Sequence, residues 1–171
     1  MNTINQHTDE LTHNQRDDQT RNLQRIVTFF ETFTIDNLAL IPLIYAPDAW
    51  FKDPFNEVIG LPAIKHLYTH MFVQVNDPHF VITHHMQQED VAFLAWEFYF
   101  RMKHFSKDRQ CIRGATQLQL DKDGYITQHR DYWDAAEELY EKLPVLGSFM
   151  RLLKRGAKAS EAPQSSTSTR R

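Results

Sequence analysis

The sequence predicts an α+β fold in which helices cover one face of a curved, mostly antiparallel sheet. Up to about residue 75, apolar side chains recur every three or four positions, as in helices that pack through one face. From Asp77 onwards they alternate with polar side chains, as in strands with one buried face. The 171-residue chain is 42% hydrophobic and contains 12 Phe. A curved sheet wrapped by helices leaves a cone-shaped cavity, which we expect these aromatic residues to line.

The first part of the chain predicts three helices. An aromatic stripe from Leu23 to Phe33 has helical spacing and indicates the first helix. A shorter second helix follows Asp36, and Pro42 inside it implies a kink or a late start. Pro62 suits the first turn of the third helix.

Strands make up most of the remaining chain. Ala49–Asp53 predicts a short strand that ends at Pro54, because proline has no amide hydrogen to donate to a ladder. Residues 125–133 predict the last strand, after a hairpin turn at 121–124. Alternation predicts that one face of the strand after Asp77 carries Phe80, Ile82, His84 and Met86. It predicts that the helix-covered face of the next two carries Leu94, Trp96, Phe98, Phe100, Ile112 and Leu118, with Glu97 and Arg101 opposite.

Composition divides the chain into three segments and limits its partners. Residues 1–18 are polar and predict a disordered arm, residues 19–155 one domain, and residues 156–171 a flexible tail. A net charge of −3 does not favour nucleic acid, and the single cysteine excludes an internal disulfide. No apolar run reaches the roughly 20 residues of a membrane span. We therefore expect a cytoplasmic protein without stable membrane anchoring.

Two acidic residues are the main candidates for chemistry. We expect Asp53 and Asp131 to face one apolar cavity, where they would titrate as a pair and act as base and acid. Replacing either with Asn should then not lower the free energy of unfolding. The alternative is structural: Asp53 accepts backbone hydrogen bonds in its loop, and Asp131 pairs with Arg113 or Arg130.

Strand parity places further side chains beside these acids. If Asp131 points inward, His129 and Trp133 do too, and His129 could orient Asp131 or carry a proton. His66 and His70 have the spacing of a helical metal pair but lie off the apolar stripe, so we predict no metal site. The residues predicted to contact a ligand are Phe51, Phe55, Asn56, Trp96, Phe98, Thr116, Leu118 and Trp133.

The order of elements, with WFKDPFNEVIG at 50–60 and HRDYWD at 129–134, resembles the nuclear transport factor two-like superfamily of cone-shaped α+β rolls. The resemblance covers about residues 22–155. Asp53-Pro54 matches the motif whose aspartate is the general base of the ketosteroid isomerase branch. The run from Arg130 to Asp134 matches the limonene epoxide hydrolase branch, in which the residue corresponding to Asp131 activates water.

Both branches use further residues that this chain replaces. Ketosteroid isomerase polarises its substrate with a tyrosine and a protonated acid, whose nearest counterparts here are Ile26 or Phe29, and Thr116. The epoxide hydrolase has Arg-x-Asp on its middle strand, where this chain has Trp96-Glu97-Phe98. Neither catalytic set is complete in this chain.

Two functions follow as hypotheses. The first is a small cofactor-independent enzyme of isomerase, dehydratase or hydrolase type that acts on an apolar small molecule. The second is a non-catalytic binding module for an apolar ligand such as a lipid or steroid. An enzyme needs a donor for developing negative charge, and the candidates are Thr116, Tyr132, His129 and Asn56. A homodimer is expected, with the basic amphipathic segment from Phe149 to Arg155 as a lid or a dimer contact.

Overall fold

The computed structural model describes residues 2–103 and 108–135, with side chains from residue 17 onwards. Almost all of the described residues belong to the first of two compact units, Met1–Asp134. The second unit is Ala135–Arg171, of which only Ala135 is described. The predicted basic segment and flexible tail therefore lie outside the described residues, and so does all but the start of the predicted final helix.

The helical layer consists of α1 (Asn2–Glu31), a 3-10 helix (Ile35–Leu43) and α2 (Leu61–Gln74). α1 begins well before its apolar stripe, within the segment predicted as a disordered arm. No proline or glycine interrupts residues 2–18, and continuing a helix costs far less than starting one. No helix in the described part of the chain is long and apolar enough to cross a membrane. From residue 17 onwards, the buried residues of α1 are Leu23, Ile26, Val27, Phe29 and Phe30.

The second helix is a 3-10 helix that contains Pro42 within its span. Proline lacks the amide hydrogen and clashes with the carbonyl four residues earlier, which disfavours α geometry at this position. At its start, the amide of Thr34 donates to Asn37 Oδ1 at 2.8 Å. Leu38 and Ile41 are buried, so the short helix still covers part of the core.

Six strands form one open sheet in the order β2-β1-β6-β5-β4-β3. Every neighbouring pair is antiparallel except β1 and β6, which run parallel. α1 packs against β3, and α2 packs against the 3-10 helix, β1 and β3. The helices and the sheet thus give the predicted α+β architecture. The strands are β1 (Tyr45–Lys52), β2 (Glu57–Ile59), β3 (Val75–Gln88), β4 (Val91–Met102), β5 (Arg109–Leu120) and β6 (Ile126–Tyr132).

The first strands differ from the prediction in extent. β1 begins at Tyr45 rather than Ala49 and contains Pro47. The pairing with β6 is irregular between Tyr45 and Trp50, so the proline lies where the ladder is interrupted. β2 was not predicted, because its three residues are too few to produce a recognisable alternation.

The predicted face of β4 and β5 is confirmed. The six apolar residues assigned to it are buried, whereas Glu97 is half-buried and Arg101 exposed. In β3 the alternation fails after Ile82, because a bulge shifts the register between Ile82 and His84. Met86 consequently lies on the outer face and is 65% exposed, contrary to the predicted stripe.

The parallel pairing of β1 and β6 brings together two motifs that are far apart in the sequence. Phe51 pairs with His129 and Lys52 pairs with Arg130. The residue that follows each member of the second pair is an acid: Asp53 follows Lys52 just after β1, and Asp131 follows Arg130 within β6. The fold therefore places both acidic motifs at the same end of one strand pair.

The turn before β6 offers a test of how α1 is held on the sheet. Gly124 has a φ of 79°, and a Cβ there would lie 2.3 Å from the side chain of Asn22 on α1. Its carbonyl also accepts a hydrogen bond from Arg25 at 2.9 Å. Gly124→Ala should lower the free energy of unfolding by at least about 1 kcal/mol, from left-handed strain alone. Chemical denaturation measures this value.

The double variant Asn22→Ala/Gly124→Ala separates the two causes. It should recover the part of the loss due to the clash, but not the part due to the backbone. A Gly124→Ala protein as stable as the parent would contradict the described contact between this turn and α1.

Candidate functional site

Six side chains form one connected set of hydrogen bonds, here called the polar chain: Tyr68, Tyr45, His129, Asp131, Thr116 and Trp96. The hydroxyl groups of Tyr68 and Tyr45 lie 2.9 Å apart. The Tyr45 hydroxyl lies 2.8 Å from His129 Nδ1, and His129 Nε2 lies 3.0 Å from Asp131 Oδ1. The polar chain thus runs from Tyr68 on α2, through Tyr45 on β1, to two residues of β6.

A second branch reaches Asp131 from the sheet. Trp96 Nε1 on β4 donates to Thr116 Oγ1 on β5 at 2.8 Å. The Thr116 hydroxyl in turn donates to Asp131 Oδ1. Thr116 pairs with Asp131 in the β5–β6 ladder, which explains why the short threonine side chain reaches the carboxylate.

Asp131 is the most accessible of the ionisable groups in the polar chain. Its side chain is 17% exposed, whereas that of His129 is 3% exposed. Oδ1 takes part in both hydrogen bonds, to His129 and to Thr116. Oδ2 receives no hydrogen bond from the described residues. One carboxylate oxygen is therefore anchored by two hydrogen bonds, and the other has none from the described residues.

The imidazole of His129 lies among aromatic rings. Phe51 stacks on it at 4.5 Å between ring centroids, and Tyr45 stacks at 5.9 Å. Phe30 on α1 meets it edge-on at 5.8 Å. The ring is thus removed from water on its faces, and its two nitrogens make all of its polar contacts with the described residues.

Burial raises the pKa of the Tyr45 hydroxyl well above its usual value. The pKa of Tyr68 is also raised well above its usual value, chiefly by burial and then by the neighbouring Tyr45, Asp131 and Asp53. The cause in both cases is that a phenolate would lose its hydration inside the core. Both hydroxyls consequently keep their protons at neutral pH and can act as donors.

Asp53 lies in the turn that follows β1. Its Oδ1 accepts from the amides of Phe55 and Asn56 at 2.7 and 2.6 Å. The side-chain nitrogen of Asn56 lies 3.0 Å from Oδ1 and 2.9 Å from Oδ2. This is the structural alternative stated for Asp53. No described hydrogen bond joins Asp53 to Asp131, although the charges of both carboxylates raise the pKa of Tyr68.

The other residues predicted to contact a ligand lie at three different places in the fold. Trp133 is half-buried and meets the exposed ring of Phe55 edge-on at 5.3 Å, near the ends of β1 and β6. Phe98 stacks on Phe80 and packs in the core. Leu118 is fully buried. The parity of β6 is as expected: His129, Asp131 and Trp133 are buried or half-buried, whereas Arg130 and Tyr132 are exposed.

The donors considered for an oxyanion are all engaged elsewhere in the described structure. Thr116 and His129 serve Asp131, and Asn56 serves Asp53. The Tyr132 hydroxyl lies on the outer face and donates to Gln117 at 3.3 Å. Among these groups and Asp131 itself, the Asp131 carboxylate keeps one oxygen, Oδ2, without a hydrogen bond from the described residues.

The residues that sequence reasoning missed are Tyr45 and Tyr68. Neither was predicted as a site residue, because a tyrosine among apolar residues gives no sign of its hydroxyl partner. A buried tyrosine hydroxyl does require a partner. That requirement was the available signal for Tyr68, which has helical spacing with apolar residues of the predicted third helix.

Among the described residues, no group of three or more His, Cys, Asp or Glu side chains comes together with the geometry of an ion site. His70, one member of the predicted helical pair, contacts Gln74 at 3.3 Å on the exposed face of α2.

The two acids should now respond differently to the same change. Asp53→Asn places an amide nitrogen against Asn56 Nδ2, so a donor faces a donor, and we expect a loss of about 1 kcal/mol in the free energy of unfolding. Asp131→Asn should change stability much less, because the amide oxygen can still accept from Thr116 and His129. Denaturation of both variants at neutral pH measures the difference. An Asp53→Asn protein as stable as the parent would contradict the structural role.

Alkaline pH should weaken the fold through the buried tyrosines. Because their folded pKa values are raised, their contribution is complete below the unfolded pKa of about 10 and is lost as pH rises from there. Each of the two tyrosines can lower the free energy of unfolding by up to about 1.4 kcal/mol per pH unit in this range. Denaturation from pH 8 to 11 should show a shallower fall for Tyr45→Phe than for the parent. Tyr132→Phe, at an exposed position, is the control and should follow the parent.

Comparisons with solved structures support the architecture. A protein described as a SnoaL-like polyketide cyclase from Jannaschia is 14% identical, with a TM-score of 0.62, over 69% of this chain and 88% of that chain. A protein with a ketosteroid isomerase-like fold from Catenulispora acidiphila, solved with trimethylamine, is 17% identical, with a TM-score of 0.59, over 69% and 88%. An LEH-like epoxide hydrolase from M. tuberculosis is 15% identical, with a TM-score of 0.58, over 81% and 97%.

The structural matches confirm the cone-shaped roll predicted from the resemblance. No curated protein matches the chain. A family model described as a SnoaL-like domain matches residues 26–129, from α1 to the histidine of the polar chain. Proteins of this fold include cyclases, isomerases and epoxide hydrolases. The chain belongs to the SnoaL-like domain family.

Proposed function

We propose that the chain is a small enzyme that needs no cofactor and uses Asp131 as a general base on an apolar small molecule. The reaction is of isomerase, dehydratase or hydrolase type, in which the carboxylate removes a proton from the substrate or from a water molecule. Asp53 has a structural role in this proposal, and Asp131 alone carries the base function.

The observation that carries the proposal is the asymmetry of the Asp131 carboxylate. Oδ1 is held by two hydrogen bonds, and Oδ2 has none from the described residues. The side chain is partly exposed, while its supporting residues Thr116 and His129 are each 3% exposed. A base needs a fixed position and a free lone pair, and this arrangement supplies both.

The surroundings of Asp131 favour an apolar ligand. Phe51 and Trp133 lie on the same side of the β1–β6 pair as the carboxylate, and Phe55 contacts Trp133. Among the described residues, no lysine or arginine bonds to the polar chain. The homodimer and the cytoplasmic location stay predictions, as does the identity of the ligand.

A probe for bare carboxylate bases tests the proposal. When a base removes the proton on C3 of 5-nitrobenzisoxazole, the C–H electron pair forms a nitrile, the N–O bond breaks, and the nitrophenolate product is followed by its absorbance. The parent should accelerate this reaction, and Asp131→Asn should lower the rate by roughly 100- to 10,000-fold, the usual contribution of a general base. Asp53→Asn is the matched control and should keep most of the activity of its folded fraction.

Displacement of the neutral apolar dye Nile red shows whether the probe enters the site. Displacement without acceleration, with Asp131→Asn indistinguishable from the parent, would contradict a catalytic Asp131. That outcome would favour the binding module, for which the engagement of every predicted oxyanion donor is the supporting observation.

A further inference from the structure

We propose that Tyr68, Tyr45 and His129 form a one-way hydrogen-bond relay, which holds His129 neutral with its proton on Nε2 and thereby positions Asp131. His129 is in this view a positioning residue, and the two tyrosines fix its tautomer. The catalytic meaning of the relay rests on the proposed function, whereas the relay itself is a property of the folded chain.

The direction of the relay follows from counting donors and acceptors. An ionised Asp131 only accepts, so Nε2 must carry the proton between them. In a neutral imidazole the other nitrogen, Nδ1, then has no proton and needs a donor. The only group within reach in the described structure is the Tyr45 hydroxyl at 2.8 Å.

The same count continues to Tyr68. Once the Tyr45 proton points to Nδ1, the Tyr45 oxygen can accept, and the Tyr68 hydroxyl at 2.9 Å donates to it. Burial raises the pKa of both hydroxyls, so both protons are present at neutral pH. All three hydrogen bonds then run in one direction. Tyr68 donates to Tyr45, Tyr45 donates to Nδ1 of His129, and Nε2 donates to Asp131.

A positively charged His129 would break this order. Its Nδ1 would donate to Tyr45, Tyr45 would donate to Tyr68, and the Tyr68 proton would need another acceptor. Apart from Tyr45, no described residue lies within hydrogen-bond reach of the Tyr68 hydroxyl, and Tyr68 is 4% exposed. A buried donor without a partner costs free energy, so the neutral form is the one that the surroundings satisfy.

The elements packed around His129 present mainly aromatic and aliphatic side chains to the ring. α1 contributes Phe30 and β1 contributes Phe51 and Tyr45, all as ring contacts. β5 pairs Leu118 with His129. Among the described residues the charged groups near the relay are Asp131, bonded to Nε2, and Asp53, which acts on Tyr68 from beyond hydrogen-bond distance.

Nitrogen NMR of the imidazole ring tests the relay without any substrate. Long-range ¹H–¹⁵N spectra of the labelled protein at neutral pH should show His129 with a protonated Nε2 and an unprotonated Nδ1. Loss of those peaks in His129→Gln assigns them. Tyr45→Phe should shift the Nδ1 resonance, because it removes the hydroxyl group that donates a hydrogen bond to Nδ1.

Graded variants distinguish positioning from simple packing. Tyr68→Phe keeps the donor to Nδ1 and should shift the same resonance less than Tyr45→Phe does. Tyr132→Phe, on the outer face, should leave it in place. A doubly protonated ring in the parent, a proton on Nδ1, or an Nδ1 resonance unmoved by Tyr45→Phe would each overturn the relay. These results are independent of the benzisoxazole assay, so failure of the relay and failure of the proposed enzyme can be told apart.

Discussion

The buried imidazole of His129 needs a hydrogen-bond partner on each nitrogen, and much of the arrangement around it meets that need. A polar ring among Phe30, Phe51 and Tyr45 loses its hydration on folding. Its partners come from β1 and from β6 itself, and α2 supplies Tyr68 behind Tyr45. A shift of either strand by one residue would remove a partner and turn side chains to the wrong face. The parallel β1–β6 pairing therefore fixes the site as well as the sheet.

The sheet holds Asp131 from the other side through a close approach of two strands. Gly114 pairs with Trp96, and a Cβ at Gly114 would lie 2.5 Å from the indole ring. The missing side chain leaves the space in which the ring lies across the sheet towards Thr116. Thr116 then orients the carboxylate. A glycine in a strand thus contributes to the position of an acid that it does not touch.

Sequence reasoning identified the class of fold and most strand faces because apolar spacing carries that information directly. Leu94 to Phe100 alternate without interruption, and their burial follows from parity. Met86 was misplaced because a bulge is a property of pairing, which the alternation of one strand does not contain. β2 was missed because three residues make no pattern. The 3-10 geometry around Pro42 was anticipated only as an irregularity.

The site was predictable only in part, for a related reason. Strand parity placed His129 and Asp131 on one face, and register placed Asp53 at the same strand end. What Asp53 does there is decided by a turn of four residues, in which two amides and one side-chain amide converge on its carboxylate. Tyr45 and Tyr68 stand among apolar residues in the sequence, but their hydroxyl groups form hydrogen bonds in the core. Their partners are set by tertiary packing across three elements, which no local pattern records.

The engagement of every predicted donor around Asp131 bears on the chemistry that a single carboxylate can support. In the ketosteroid-type reaction the enzyme neutralises charge on a substrate oxygen with donors aimed at it. Here Trp96 and Thr116 direct their hydrogens along the polar chain towards Asp131, the proposed base, and His129 does the same in the proposed relay. A substrate of Asp131 would then have to spread its own developing charge through conjugation, or the proton would have to come from water. Apolar, conjugated molecules meet the first condition and also suit the aromatic surroundings of Phe51 and Trp133.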